Sequence, residues 1–134
     1  MANLSGITAV RPTANTQIRL VRYGTTISVG QPVVESSGKY VLADANASAT
    51  LAAAGGVAIT PGILDGYGVI AISGPVILVG TTMTVGETYI VSPTAGGIMP
   101  NSDRLQGDFV TRLGTASTTT QLDLAIVATG VQVP

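Results

Sequence analysis

The sequence contains no cysteine, no histidine and no tryptophan, and only 10% of its residues are charged. Without cysteine there can be no disulfide, no thiolate zinc site and no cysteine nucleophile, which fits a reducing compartment. Without histidine, the commonest general base and the commonest transition-metal ligand are gone. One phenylalanine and four tyrosines make up the whole aromatic content. That leaves little to stack on a sugar ring or a nucleic-acid base. No apolar run is long enough to span a bilayer. The longest, GVIAISGPVILVG at 68–80, is interrupted by Gly74-Pro75.

Ordinary globular proteins carry roughly 25% charged residues. With so few, the surface must be covered by Thr, Ser, Asn, Gly and apolar groups. A free monomer of this kind is poorly protected against self-association. The composition favours a subunit whose surface is occupied by partners over a free β-domain with a Thr/Ser coat. The net charge of −1 hides an asymmetry. Residues 1–34 hold Arg11, Arg19 and Arg22 and no acid, giving +3; residues 35–134 hold three cations and seven acids, giving 3 − 7 = −4. Three arginines without aromatic neighbours make a poor nucleic-acid footprint. They suffice to orient the front of the chain on an acidic protein surface.

A chain of 134 residues fits one domain that can bury a core unaided. The start, MANLSGITAVRPTANTQ, lacks the charged and apolar regions of a secretory signal, so no membrane crossing is expected. Residues 1–17 show no sustained period and are expected as an extended N-terminal arm, with the β domain at 18–134. From IRLVRYG onward, short β-branched segments recur every eight to twelve residues with Gly and Pro between them. This predicts an all-β fold, a compact sandwich or barrel-like, β-tulip-like single domain. In the first strand Ile18, Leu20 and Arg22 share one face, and Arg19, Val21 and Tyr23 the other. GVIAIS and PVILVG are expected as two strands parted by Gly74-Pro75. DANASATLAAA at 44–54 is the single helical candidate. Asp44 or Asn46 would cap its start and a left-handed Gly55-Gly56 its end.

One stretch occurs twice. GTTISVGQPVVES, 24–36, returns without gaps as GTTMTVGETYIVS, 80–92, at an offset of 56 residues. Each copy reads as strand, turn and strand, with Val29-Gly30 and Val85-Gly86 at matching turns. Two copies are too few for a solenoid. One hairpin design used twice in one domain is the expected form.

Searching for chemistry yields no catalytic arrangement. There is no Gly-x-Ser-x-Gly elbow, no histidine to activate a serine, and no phosphate-loop lysine. DANAS and NSDR bring one carboxylate each, which suits caps and turns better than a calcium loop. Asp103, Arg104, Asp108 and Arg112 are expected to form weak surface ion pairs. Two of the seven acids could still face each other across a cleft as a hydrolase pair, but the scarcity of aromatics argues against it. The expectation is a protein that is no enzyme and carries no metal or cofactor. Tyr67, between glycines in DGYG, is expected at an exposed loop with Asp65.

Across GGVAITPG, GYGVIAISGPVILVGTTMTVGETYIVSPTAGGIMP, DFVTRLGTAS and LDLAIVATG, the chain resembles small tailed-bacteriophage virion proteins of the capsid decoration, or cement, type. The resemblance covers roughly residues 24–130. It implies a mostly β, usually homotrimeric protein, assembled in the host cytoplasm. Such a protein sits on the capsid exterior and clamps neighbouring major capsid protein subunits. Phage tail-fibre and head-fibre domains share the same Gly/Thr-rich style, and a domain of that kind would bind a host-surface glycan. Combined with the charge split, the expected capsid contacts are Arg11, Pro12, Arg19 and Arg22. Asp65 and Tyr67 form a second, exposed loop contact. Self and the major capsid protein are the expected partners, with no nucleic acid and no membrane.

Overall fold

The computed structural model describes residues 3–134. Ten strands follow in chain order: β1 Ala9–Pro12, β2 Gln17–Arg22, β3 Pro32–Ser36, β4 Lys39–Leu42, β5 Gly56–Ala58, β6 Tyr67–Val79, β7 Thr88–Val91, β8 Ile98–Pro100, β9 Phe109–Ala116 and β10 Gln121–Gln132. One short helix, α1 (Ala49–Ala52), and a 3-10 turn at Asn101–Asp103 complete the described elements. Strand accounts for 49% of the chain, about twice the share in an average domain, so the fold is all-β. The strands form one sheet ordered β4-β3-β5-β6-β10-β9-β7-β8, with β1 and β2 also paired to β6. It curls into a half-barrel.

The segment expected as two strands is one. β6 runs from Tyr67 to Val79 straight through Gly74-Pro75. Gly74 makes this possible with φ 91°, which a side chain would resist. Its neighbour Pro75 has no N–H to donate, but its carbonyl accepts from the hydroxyls of Thr13 (3.3 Å) and Thr16. β6 therefore carries partners along its whole length. β2 and β5 lie against its N-terminal part, β1 and β10 against its C-terminal part.

Within the expected arm 1–17, of which residues 1 and 2 lie outside the described residues, a strand joins the sheet. Ala9–Pro12 pairs with β6, Val10 is buried, and the Leu4 N–H donates to the Ile98 carbonyl at 2.8 Å. Polar spacing around a four-residue strand concealed this, because one buried valine makes no period. Residues 13–16 bulge around Gly74-Pro75, and β1 and β2 run end to end along β6.

The helix is shorter than its alanine content predicts. Ser48, not Asp44 or Asn46, is its cap, accepting from the Leu51 N–H at 3.1 Å. Neither Gly55 nor Gly56 adopts positive φ. Gly56 instead opens β5, where a Cβ would lie 2.8 Å from the Ala71 carbonyl. Tertiary bonds override the propensity. Ala45 donates to Ser92 (3.1 Å), Phe109 to Ala45 (2.8 Å) and Gly96 to Ala43 (2.9 Å), tying residues 43–45 to the far side of the sheet.

The echo at 56 residues proves larger than a hairpin. Residues 24–30 and 80–86 are loops rather than strands, each ending in a turn at Val29-Gly30 or Val85-Gly86. Gly30 and Gly86 take φ 79° and 85°. The same backbone bonds hold both loops. Ile27 donates to Gly62 (2.9 Å) as Met83 does to Thr119 (2.7 Å); Gly30 donates to Ala58 (2.8 Å) as Gly86 does to Ala116 (2.8 Å). The strand pairings repeat as well. β2/β6, β5/β6, β3/β5 and β3/β4 recur as β6/β10, β9/β10, β7/β9 and β7/β8. Gly74 recurs as Gly130, at φ 67° and the same offset, 130 − 74 = 56. The domain is thus two like halves, and β6 is the last strand of one and the first of the other.

Two apolar cores follow from this. The smaller gathers Val21, Tyr23, Ile27, Val33, Tyr40, Ala58 and Ile70. The larger fills the second half and the seam, from Val10 through Val57, Ala71 and Leu78 to Leu124. Tyr23 is fully buried, with its hydroxyl donating to the Thr60 carbonyl at 2.8 Å. Its ring lies against Gly68, where a Cβ would come within 2.3 Å. Gly68→Ala is expected to lower unfolding free energy by about 3 kcal/mol, because a buried ring cannot retreat. Gly86→Ala, strained by φ but with open space around it, should cost about 1 kcal/mol. Urea denaturation followed by circular dichroism measures both.

Candidate interaction surface

β2 presents two different faces. Val21, and Tyr23 just beyond the strand, turn into the smaller core. Ile18, Leu20 and Arg22 face outward, and Ile18 and Leu20 remain 55% and 68% exposed. Across the ladder from them stand Ala71, Val69 and Tyr67. Tyr67 is 64% exposed, and the turn leading into it displays Ile63 and Leu64. Exposed apolar side chains scattered singly are ordinary; a group of them marks a contact surface.

The group is edged by positive charge. Arg22 stacks its guanidinium 4.9 Å from the Tyr67 ring centroid and donates to the Tyr67 hydroxyl at 3.2 Å. An exposed contact of this kind contributes about 0.5–1 kcal/mol, enough to hold the ring in one orientation. Arg19 reaches the other way, donating to the Tyr40 hydroxyl at 3.4 Å. Asp65 sits in the turn at φ 66° and forms an ion pair with Lys39. The Lys39 hydrogen bond, then the Lys39 charge and more weakly that of Arg22, hold its carboxyl below the usual aspartate value. Arg22 therefore stands at the apolar group with the Lys39–Asp65 pair beside it, while Arg19 serves the opposite face of β2.

The structure brings Arg22, Asp65 and Tyr67 together and leaves Arg19 on the opposite face of β2, bonded to Tyr40. Arg11 and Pro12, the other two expected contacts, are exposed on β1. They stand opposite Ile77 and Val76, further along the same line of β6. Tyr67 opens a thirteen-residue strand rather than sitting at a loop tip. Sequence reasoning missed Ile18, Leu20, Lys39 and Tyr40. The alternation placing Ile18, Leu20 and Arg22 on one face was readable, but not that this face points out. The pairing of Arg22 with Tyr67, forty-five positions away, left no local signal.

Asp108, expected in a surface ion pair, is instead buried, and its Oδ2 has no hydrogen-bond partner. Burial pushes its pKa up and nearby Asp44 adds to this, while a backbone N–H bond from Leu105 opposes it. Among the described residues no three or more acidic, cysteine or histidine side chains converge as a metal site, and no helix is long and apolar enough to cross a membrane. Comparison with known proteins finds no matching family model and no matching curated protein. Function is therefore to be read from the surface itself.

Two expectations follow. Because the folded-state pKa of Asp108 is raised, its stabilising contribution is full below the unfolded value near 3.8 and is lost as pH rises through the folded value. Asp108→Asn should flatten that loss and raise the melting temperature at pH 7, as read by thermal melts at pH 4 and pH 7. Leu20→Ser should change stability by less than about 0.5 kcal/mol in the same melts, since its side chain is mostly in solvent, and Tyr67→Ala by no more than about 1 kcal/mol, the worth of its contact with Arg22.

Proposed function

We propose that this chain is a non-catalytic structural virion protein, a capsid decoration protein. It binds the outer surface of a phage head and clamps neighbouring major capsid protein subunits. The observation that carries the proposal is the exposed apolar group Ile18, Leu20 and Tyr67, edged by Arg22, with Arg19 exposed on the other face of the same strand. A protein with so little charge elsewhere has few other means of staying apart from its neighbours. Burying an aliphatic side chain is worth about 1.5–3 kcal/mol, whereas a surface ion pair is worth about 0–1 kcal/mol. The apolar side chains thus supply affinity and the arginines orientation. The resemblance of the sequence to decoration proteins supplies the setting.

Such a protein works by linkage. It binds the expanded shell better than any alternative form, and stabilises it in proportion to occupancy. A homotrimer would multiply modest contacts through avidity. Because Ala9–Pro12 lies on β6, the contact proposed is the β2 face in place of a free arm, with Arg11 and Pro12 at its far end.

The alternative is a tail-fibre or head-fibre domain that grips a host-surface glycan through Tyr67 and Asp65. Tyr67 is exposed enough to stack on a sugar, which favours it. Against it, Arg22 covers one ring face and Lys39 engages Asp65. Incubating the purified protein with capsid shells that lack it should decorate them, and Arg19→Glu/Arg22→Glu should cut binding at least tenfold while leaving the fold intact. Undiminished decoration by the double variant sinks the assigned surface. Density on the tail rather than the head in an electron-microscopy map sinks the decoration proposal, and glycan binding lost on Tyr67→Ala would replace it.

A further inference from the structure

The two halves treat the outer edge of their first strand differently. In the second half that strand is the C-terminal part of β6, and β1 lies along it, with Ala9 opposite Val79 and Pro12 opposite Val76. In the first half its counterpart is β2, since 17–22 shifted by 56 gives 73–78. β2 pairs with β6 and, among the described strands, with no other. Past its end the chain meets β4 through the Tyr23–Tyr40 bridge and the Gly24 N–H to Tyr40 carbonyl bond of 2.8 Å. One edge is covered by an extended segment, and the equivalent edge is bare.

The bare edge has free backbone groups in known positions. Bonding direction alternates along a strand. The Tyr23 N–H points to β6, bonding Gly66, and the Gly24 N–H points the other way, to Tyr40. By that alternation Arg19 and Val21 serve the β6 ladder, and the N–H and C=O of Ile18 and Leu20 point away from it. The same two residues display the apolar side chains of the outward face.

We infer that the Gln17–Arg22 edge receives an extended strand from another protein, one that alternates apolar with acidic side chains. Strand addition draws affinity from main-chain bonds and specificity from alternate side chains. The apolar side chains of the incoming strand would lie beside Ile18 and Leu20 on the outward face, and its acids, on the other face, beside Arg19. Charge selects against β2 of a second copy, because that pairing gathers four arginines on one ladder, where like charges repel. The inference stands apart from the decoration proposal, since it concerns the mode of contact and not the identity of the assembly.

The test uses the full chain and two synthetic eight-residue peptides, valine alternating with glutamate and valine alternating with lysine. Amide hydrogen exchange is read residue by residue by NMR. The glutamate peptide is expected to slow exchange at Ile18 and Leu20 at least tenfold, and the lysine peptide to leave it unchanged. Leu20→Pro removes an outward N–H and no donor to β6, a substitution that sheet edges tolerate, so the folded variant should lose the effect. Arg19→Glu/Arg22→Glu should exchange the preference between peptides, and this decides the matter if the proline variant does not fold. Protection by neither peptide at millimolar concentration overturns the inference. So does glutamate-peptide protection that survives in a folded Leu20→Pro protein. Protection at Ile18 and Leu20 that grows with chain concentration, without peptide, overturns it in favour of a second copy. Shells decorated by a protein that ignores both peptides would leave the decoration proposal standing alone. Peptide capture by a protein that leaves shells bare would do the reverse.

Discussion

The unbroken course of β6 through Gly74-Pro75 is the constraint on which the rest depends. A glycine at φ 91° and a proline that offers only its carbonyl let one strand serve two halves. Everything else hangs on its edges. β2 and β5 build the smaller core against its first part, and β1 and β10 build the larger core against its second. The seam between them is closed by bonds from residues 43–45, which is why an alanine-rich segment gives one helical turn and no more.

The surface follows from the same arrangement. With 10% charged residues, solubility cannot rest on a coat of ions. The few charges are placed where they matter. Arg22 holds Tyr67 and Lys39 holds Asp65 beside the exposed apolar group, while Arg19 reaches Tyr40 on the other face of β2. The opposite case is Asp108, a carboxyl buried without a full set of partners beside the seam. Burial holds its pKa up, with nearby Asp44 adding to this.

How much of this was legible beforehand depends on the range of the interaction involved. All-β class, the turn glycines at 30 and 86, and the shared face of Ile18, Leu20 and Arg22 are local properties, and the sequence carries them. The 56-residue echo was visible too, but only where thirteen residues still matched. The likeness of β2 to the second part of β6 survives in which strands pair, not in letters. β1 was invisible because one buried valine in four residues has no period. The length of β6 was misjudged because Gly-Pro usually ends a strand, and the bulge at residues 13–16 that accommodates it is remote in sequence. Of the surface residues, Arg19, Arg22, Asp65 and Tyr67 were named from sequence. Their placement about Ile18, Leu20 and Lys39 needed the ladder.

The shared strand also governs how the molecule bears load. A pull on the β2 face, directed along the strand, reaches β6 in shear. The six paired positions from Gln17 to Arg22 then resist together instead of parting one after another from an end. β6 hands that force to β10 through Gly74–Ile77, and β10 hands it to β9. A tug at one patch of surface is thus spread through both halves.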